Sequence, residues 1–350
     1  MHIGILGGGL AGSFLAARLL EANCKVTLID EPVPHSASNI AAGLFNVITG
    51  RFGAKTWNAE TFSESLYTFF QHPQHSFLAK YLHQVPIYRP FKSIDEYNKW
   101  TGRNEDPAYA VWTSFQEKPF MPEAIQNTLG GIWINRCGWL DTKSFLASLK
   151  RWLVENRGLQ VREERIEYQA WDLKQKTLHL GGNSYTFDAF VYCEGYQAIQ
   201  NPFFHSVKLI PNKGELLEIE VPELSISWVL SRKIYMIPLG NKRYLVGSTY
   251  KNAFESIYPT EAGKEEIIEK LNKALAVPFE VKAHTAGVRP TTPNRRPILG
   301  VSPQHNWIYM LNGLGTKGVL QAPYFSLLMR DLILGKHPSI PKEVDAVRFN

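Results

Sequence analysis

The stretch that most constrains the fold is "HIGILGGGLAGSFLAARLLEANCKVTLIDE", residues 2–31. His2 to Leu6 is short and apolar, as a parallel strand buried on both faces should be. Ala11 to Ala22 is rich in Ala and Leu, which favour helix. Lys25 to Ile29 reads as a second strand. Between strand and helix, Gly7-Gly8-Gly9-Leu10-Ala11-Gly12 fits the spacing G-x-G-x-x-G. Gly7 permits the tight turn, Gly9 lets a pyrophosphate touch the backbone, and Gly12 lets the helix pack close to the strand. Unpaired N–H groups and a positive dipole end at the helix N-terminus then hold the phosphates. Asp30 ends the second strand 18 residues after Gly12, where an acid accepts from ribose hydroxyls. Glu31 is the alternate acid. NAD and FAD share this fingerprint, and the first loop does not separate them.

A second glycine loop closes the chain. "WIYMLNGLGTKGVLQAPYFSLLMRDLILG" reads as strand, glycine turn and helix, but no third strand with an acid follows it. A second complete dinucleotide site is therefore not expected. What remains is a helix N-terminus near Thr316 to Val319, offering N–H groups to something partly negative. A flavin supplies such a partner, because its reduced form carries negative charge around N1 and the C2 carbonyl. A fixed helix end there is worth about 0.3–2 kcal/mol. Pro323 leaves the start of that helix open.

Between the loops, residues 36–53 are small and polar, suited to close approach by a flat ligand. Phe62, Leu66, Phe69 and Phe70 mark a helix face. Residues 73–136 are rich in Pro, Trp and Tyr and read as short strands and loops, with the aromatic residues of 57–139 as packing and a pocket wall. Asp141 or Thr142 caps a helix that Gly158 ends. "LQVREERI", "TLHLGG" and "AFVYCEG" read as strands. Residues 207–250 read as successive antiparallel strands, and Ile267, Ile268, Leu271, Ala274 and Leu275 as one more amphipathic helix. The expected fold is α/β: a Rossmann-like domain of the glutathione-reductase type interleaved with an antiparallel-sheet domain. Residues 1–55, 138–206 and 282–350 are assigned to the first, and 56–137 and 207–281 to the second.

The 350 residues are 44% apolar, ample for a large core of about two domains. No stretch approaches the roughly 20 apolar residues of a membrane span, and a strand beginning at residue 3 leaves no room for a signal peptide. Three scattered cysteines suggest no disulfide framework and a cytoplasmic protein. The net charge of +6 fits an anionic cofactor or substrate and supports nucleic-acid binding only weakly. His72-Pro-Gln-His75 lacks a third ligand nearby, so no metal is expected.

The pieces "GILGGGLAGSFLAARLLEANCKVTLIDE", "SNIAAG", "CGWLDTKSFLASL", "FVYCEG", "KGELLEI", "YMIPLGNKRYLVGSTY", "AGVRPTTPNRRPILG" and "NGLGTKGVLQAP" follow one another along the chain. Together they resemble the FAD-dependent amine and amino-acid oxidoreductases of the D-amino-acid oxidase superfamily, such as glycine and sarcosine oxidase. Residues 55–135 match least. The resemblance implies FAD held by Gly7, Gly9, Leu10, Ala11, Gly12, Asp30, Glu31, Ala41, Ala42, Gly43, Val161, Gly195, Gly313, Gly315, Thr316, Lys317 and Gly318. No cysteine lies near Gly287, where sarcosine oxidase attaches its flavin, so the FAD is expected to be non-covalent. Glu194 stands where the family has a small residue or Thr, and Asn294 and Arg295 stand where many members have Asp-Gly.

The resemblance also implies the chemistry: hydride removal from a carbon beside an amine nitrogen, giving an imine that hydrolyses. Oxygen or a quinone would take the electrons. Arg289 is the expected partner of a substrate carboxylate. Tyr235 and Lys317 match substrate-binding positions of relatives, and Arg51 is placed at the flavin edge or the substrate. Rival readings are an oxidase of a modified tRNA base side chain, a flavoprotein that binds without turnover, and a nicotinamide dehydrogenase.

Overall fold

The computed structural model describes residues 1–349 apart from 32, 34, 50–52 and 122. The strand–turn–helix–strand at the N-terminus forms as its pattern requires: strand His2–Leu6, helix Leu10–Glu21 and strand Lys25–Ile29. They nucleate a six-stranded sheet in the order Gln160–Arg162, Lys25–Ile29, His2–Leu6, Ala189–Tyr192, Ile308–Asn312, Ile298–Val301. Its pairings are parallel except the last. Ile3, Ile5, Val26, Leu28, Phe190 and Val191 are buried, as both faces of this sheet are covered. The helix Leu10–Glu21 is buried along nearly its whole length. Phe14 on it meets Phe69 and Phe145 edge-on and tilted, drawing helices Ala59–Gln71 and Thr142–Arg157 onto the same face.

The last helix, Gly318–Ile333, packs beside the first. A methyl added at Gly318 would sit 3.0 Å from Leu10 Cδ1. The two glycine loops of the sequence therefore meet. Pro323 lies inside this helix, where its missing N–H leaves the Val319 carbonyl without the usual i→i−4 bond. Burial of Val319, Phe325, Met329 and Ile333 holds the helix through that interruption.

The second sheet has eight strands in the order Glu280–Thr291, Ile210–Glu220, Arg243–Gly247, Tyr235–Gly240, Val229–Ser231, Ile87–Pro90, Gly131–Ile134, Thr113–Gln116. All neighbours are antiparallel except Val229–Ser231 with Ile87–Pro90. Helix Glu261–Asn272 buries Ile267 and Leu271 against it. Two features cut across the segments read from sequence. Strand Glu280–Thr291 belongs wholly to this sheet, so a division at residue 282 falls inside a strand. Helix Ala59–Gln71 lies on the helices beside the parallel sheet, with Phe62 against Tyr324 and Phe325.

Several local expectations meet physical detail here. Asp141, not Thr142, caps helix Thr142–Arg157 by accepting from Ser144 N–H (3.1 Å), and Gly158 ends it at φ +72°. "LQVREERI" contributes only Gln160–Arg162 as strand. The segment 73–136 holds a helix, Ile94–Asn104, which reading it as short strands and loops omits. Ser93 caps it by accepting from Glu96 N–H, and Trp100 is its buried anchor. His75 is a buried packing residue: its ring stacks on Phe69 and its Nε2 lies 3.0 Å from Glu21 Oε1. No metal-ligating cluster occurs among the described residues.

Burial opposes ionisation of Glu21, but hydrogen bonding by His75 and the Arg18 guanidinium at 3.1 Å outweighs it and holds the carboxyl at about 2. A depressed carboxyl stabilises the fold above its unfolded value, near 4.5, and that contribution disappears as pH falls toward about 2. Glu21→Gln should cost about 1–3 kcal/mol at neutral pH. Its stability should then fall less steeply than wild type between those pH values, measured by urea unfolding.

Candidate active site

One cavity of about 1610 Å³ runs between the two sheets. That exceeds the ~300–1,000 Å³ of an ordinary small-molecule site. Its floor is the first glycine turn. Gly7 takes φ +102°, and a Cβ there would lie 2.4 Å from the Cys193 carbonyl oxygen. A Cβ at Gly12 would lie 1.9 Å from the Gly7 carbonyl oxygen. The turn and helix can approach this closely only as glycines, and the approach aims the helix N-terminus into the cavity. Ser13 Oγ donates to the Gly8 carbonyl (2.9 Å), tying the turn to the helix it feeds.

Gly7, Gly9, Leu10, Ala11, Asp30, Glu31, Ala41, Ala42, Gly43, Val161, Gly195, Gly315, Thr316, Lys317 and Gly318 all line the cavity. Gly12 and Gly313 do not. Gly12 acts through packing, and Gly313 (φ +71°) shapes the turn beside Thr292. Asp30 is already engaged: Oδ1 accepts from Gly8 N–H (2.7 Å), and Oδ2 pairs with Lys150 Nζ (2.7 Å). Ser38 Oγ accepts from Leu10 N–H at 3.0 Å. Ser38 and Lys150 are missed by the sequence reading. Ser38 lies in "SASN" with nothing to tell which hydroxyl folds back onto the turn, and Lys150 is one lysine among many on a helix.

Gly43 (φ +67°) crosses so close to Leu140 that a Cβ would lie 1.8 Å from its carbonyl oxygen. The last helix begins at Gly318, and no side chain of the described residues caps its first turn. Two helix N-termini thus converge on one cavity. Residues that line a dinucleotide-sized space, glycines where a phosphate needs backbone access, and a second positive helix end fit FAD.

Glu194 has a structural role in this geometry. Its carboxylate accepts from Tyr168 OH (2.6 Å) and Asn201 Nδ2 (2.7 Å). Burial pushes its carboxyl up, and those two donors only partly oppose that. It ties the end of strand Ala189–Tyr192 to the loops at 168 and 201. Asn312 Nδ2 donates to the Gly195 carbonyl (2.9 Å) and joins the next strand end to it. The aromatic residues of 57–139 serve packing, for example Tyr88 against Trp133 and Phe120, and Phe62 against Tyr324. Contrary to the expectation, none of the described residues of that segment lines the cavity.

Arg289, Tyr235 and Lys317 line the cavity as well. Arg289 Nη1 donates to Asn212 Oδ1 (2.7 Å) and Nη2 to Ser248 Oγ (2.7 Å). Gly214 makes its room: a Cβ there would sit 1.9 Å from Nη2. Mid-strand glycine in "KGELLEI" was the available signal of that close approach. Burial pushes the guanidinium below its ordinary value, and among the described residues no carboxylate pairs with it. Tyr235 begins its strand opposite Gly247, next to Ser248. Lys317 Nζ donates to Thr56 Oγ1 (3.2 Å), and burial, then Arg296 and Arg295, push it down. Arg51 lies outside the described residues.

A βαβ phosphate cradle, a second helix end and one elongated cavity define a dinucleotide-binding flavoprotein. The chain belongs to the DAO family, FAD dependent oxidoreductase, whose family model matches residues 2–332. It is therefore an FAD-using oxidoreductase. It is 21% identical over 360 residues to the uncharacterized oxidoreductase YurR of Bacillus subtilis, covering 96% of this chain and 95% of that one. It is 32% identical over 138 residues to a glycine oxidase of Pseudomonas putida, covering 37% and 36%. The chain spans about half, 52%, of the bifunctional protein ThiO/ThiG of Nostoc, at 24% identity over 353 residues and 94% of this chain. Among solved structures, glycine oxidase from Bacillus cereus superposes with a TM-score of 0.78 at 21% identity, covering 96% of both chains. No helix among the described residues is long and apolar enough to cross a membrane.

Gly12→Ala should force the helix off the turn at a cost of about 1–3 kcal/mol. The expected outcome is a lower melting temperature together with a lower ratio of 450 nm to 280 nm absorbance after purification. Unchanged flavin content would remove the close-packing role given to Gly12.

Proposed function

We propose that this enzyme oxidises the CH–NH group of an amine or amino acid that carries a carboxylate. The observation that carries the reading is Arg289: a partly buried guanidinium at the cavity wall, held by the neutral groups Asn212 and Ser248 and lacking a carboxylate partner among the described residues. Two deeply buried cations have their own acids. Arg18 pairs with Glu21 and Lys213 with Glu215, both near 3 Å. An uncompensated buried cation is costly unless a ligand completes it. A planar guanidinium suits a carboxylate by two parallel hydrogen bonds.

Non-covalent FAD, held by residues 7–11 and 315–318, would supply the hydride acceptor for the carbon beside the amine nitrogen. The protein's own groups orient the substrate for that transfer. Arg289 takes the carboxylate, Tyr235 borders the same space, and Lys317 adds a second cation. Cations without nearby acids disfavour a bound ammonium, so the substrate amine binds in its neutral, reactive form. The imine product hydrolyses in water. Electrons leave to oxygen or a quinone. Three buried free thiols suit a reduced, cytoplasmic setting. Similarity to glycine oxidases agrees with a carboxylate-bearing amine as substrate.

Anaerobic mixing with glycine, sarcosine, proline and D- and L-amino acids should bleach the flavin absorbance for at least one of them. Arg289→Met should raise KM for carboxylate substrates about 10- to 100-fold, while the 450 nm absorbance of bound FAD is kept. Equal KM values in wild type and variant, or no bleaching by any carboxylate-bearing amine, defeat the reading.

A further inference from the structure

A second recess of about 380 Å³ lies outside the cofactor cavity, lined by Lys92, Gln126, Arg232, Lys233, Asn272 and Lys273. Four separate parts of the chain build it. Lys92 follows strand Ile87–Pro90, and Arg232 and Lys233 form the turn between Val229–Ser231 and Tyr235–Gly240. Asn272 and Lys273 end helix Glu261–Asn272, and Gln126 is fixed by its N–H to the Ala274 carbonyl (2.9 Å). The turn is defined: Lys233 takes φ +58°, and Arg232 N–H donates to the Ile234 carbonyl at 2.9 Å.

Charge at this recess is unbalanced. Glu96 is engaged with Arg89 (2.8 Å), and Glu269 with Lys273. Lys92, Arg232 and Lys233 have no carboxylate within ion-pair distance among the described residues. Arg232 Nη1 is buried and has no hydrogen-bond partner among the described residues. Burial pushes Lys92 below its ordinary value, and Arg89, Lys233 and Arg232 push it further while Glu96 opposes them. Burial does the same to Arg232. The adjoining helix C-terminus supplies only about half a negative charge, which does not offset three cations. A buried, unpartnered guanidinium donor beside two ammonium groups is the chemistry that recognises an oxyanion.

The recess also communicates with the cofactor cavity. Lys233 lines both, and Ile234 and Tyr235 continue along the cavity wall. Two residues of chain span at most about 7 Å. Tyr235 lies opposite Gly247, whose neighbour Ser248 holds Arg289.

We propose that this recess binds an oxyanion, a phosphate or a carboxylate, and that Lys233 joins it to the substrate end of the cofactor cavity. The oxyanion is either free or the distal group of the amine substrate. The second case rests on the carboxylate-amine reading of Arg289 above; the existence of the site does not.

Inorganic phosphate titrated calorimetrically into the FAD-loaded protein at low ionic strength tests the site directly. One binding event is expected, weakened about tenfold or more in both Arg232→Gln and Lys92→Gln. Flavin absorbance and melting temperature serve as controls that each variant is folded. No binding heat, or the same affinity in both folded variants as in wild type, overturns the proposal. The source of the anion is read from kcat/KM for amines alike except for a distal anion, serine against O-phosphoserine and alanine against glutamate. A preference for the anionic member that falls about tenfold in the variants supports the site with the anion on the substrate. An unchanged ratio, with phosphate binding still lost, supports the site for a separate anion. Failure of every amine to bleach the flavin would defeat the proposed function while leaving the phosphate titration to decide this site.

Discussion

The close approach at the first turn governs the rest of the molecule. With the Gly12 Cβ position 1.9 Å from the Gly7 carbonyl oxygen, helix Leu10–Glu21 starts flush with the edge of the parallel sheet. That position puts Asp30 within 2.7 Å of Gly8 N–H and leaves room for the last helix to lie alongside, with Leu10 against Gly318. One more carbon at Gly12 would separate the elements whose ends make the cavity. Strands from the middle and the tail of the chain then add to this edge. The sheet order, Lys25–Ile29, His2–Leu6, Ala189–Tyr192, Ile308–Asn312, is how residues some 300 apart come to share one cavity.

The cavity is electrically uneven along its length, and the unevenness follows from which element supplies each wall. The wall made by the first two strands and the loop after Arg162 carries Asp30, Glu31, Glu163, Glu164 and Glu167 among its cations. The wall made by the antiparallel sheet and the last helix carries Lys233, Arg289 and Lys317, with no acid among the described residues that line it. An elongated ligand with hydroxyls at one end and an electron-accepting ring at the other meets a matching gradient. The helix N-terminus at Gly318 strengthens the positive end, because its first N–H groups are uncapped.

Elements set by local pattern were legible in the sequence. The apolar strand His2–Leu6, the glycine turn and the Ala/Leu helix each specify themselves within a few residues, and so does Gly158, whose φ of +72° ends a helix. Ile94–Asn104 was also legible in principle, since Ser93 and Glu96 have the spacing of a capping box; the density of aromatic and charged residues obscured it. Other features depend on contacts between distant residues. Nothing near Lys150 tells that it reaches Asp30, and nothing near Asn212 tells that it holds Arg289. Domain limits suffer most. Strand Glu280–Thr291 pairs with the antiparallel sheet along its whole length, yet the motif "AGVRP" inside it lines the cofactor cavity, so motif and sheet place the same residues differently.

The same distinction bears on what a buried charge means in this protein. Lys213 and Glu215 lie together beneath the antiparallel sheet, and the carboxylate is further held by Thr260 N–H (2.9 Å) and by His284 Nε2 at 2.8 Å. Burial works against ionisation of Glu215, but Thr260 and Lys213 prevail and its carboxyl stays below the ordinary range. Glu215 also accepts from the hydroxyl of Thr260, which caps helix Glu261–Asn272 by accepting from Gly263 N–H. Arg289 sits one strand over, opposite Asn212, three residues along from Glu215, and among the described residues receives only neutral acceptors. A fold that supplies an acid to buried Lys213 and withholds one from partly buried Arg289 has left the second to be completed from outside. Because Gly214 is what makes room for that guanidinium, any side chain at 214 would displace Arg289 from the place where an incoming carboxylate meets it.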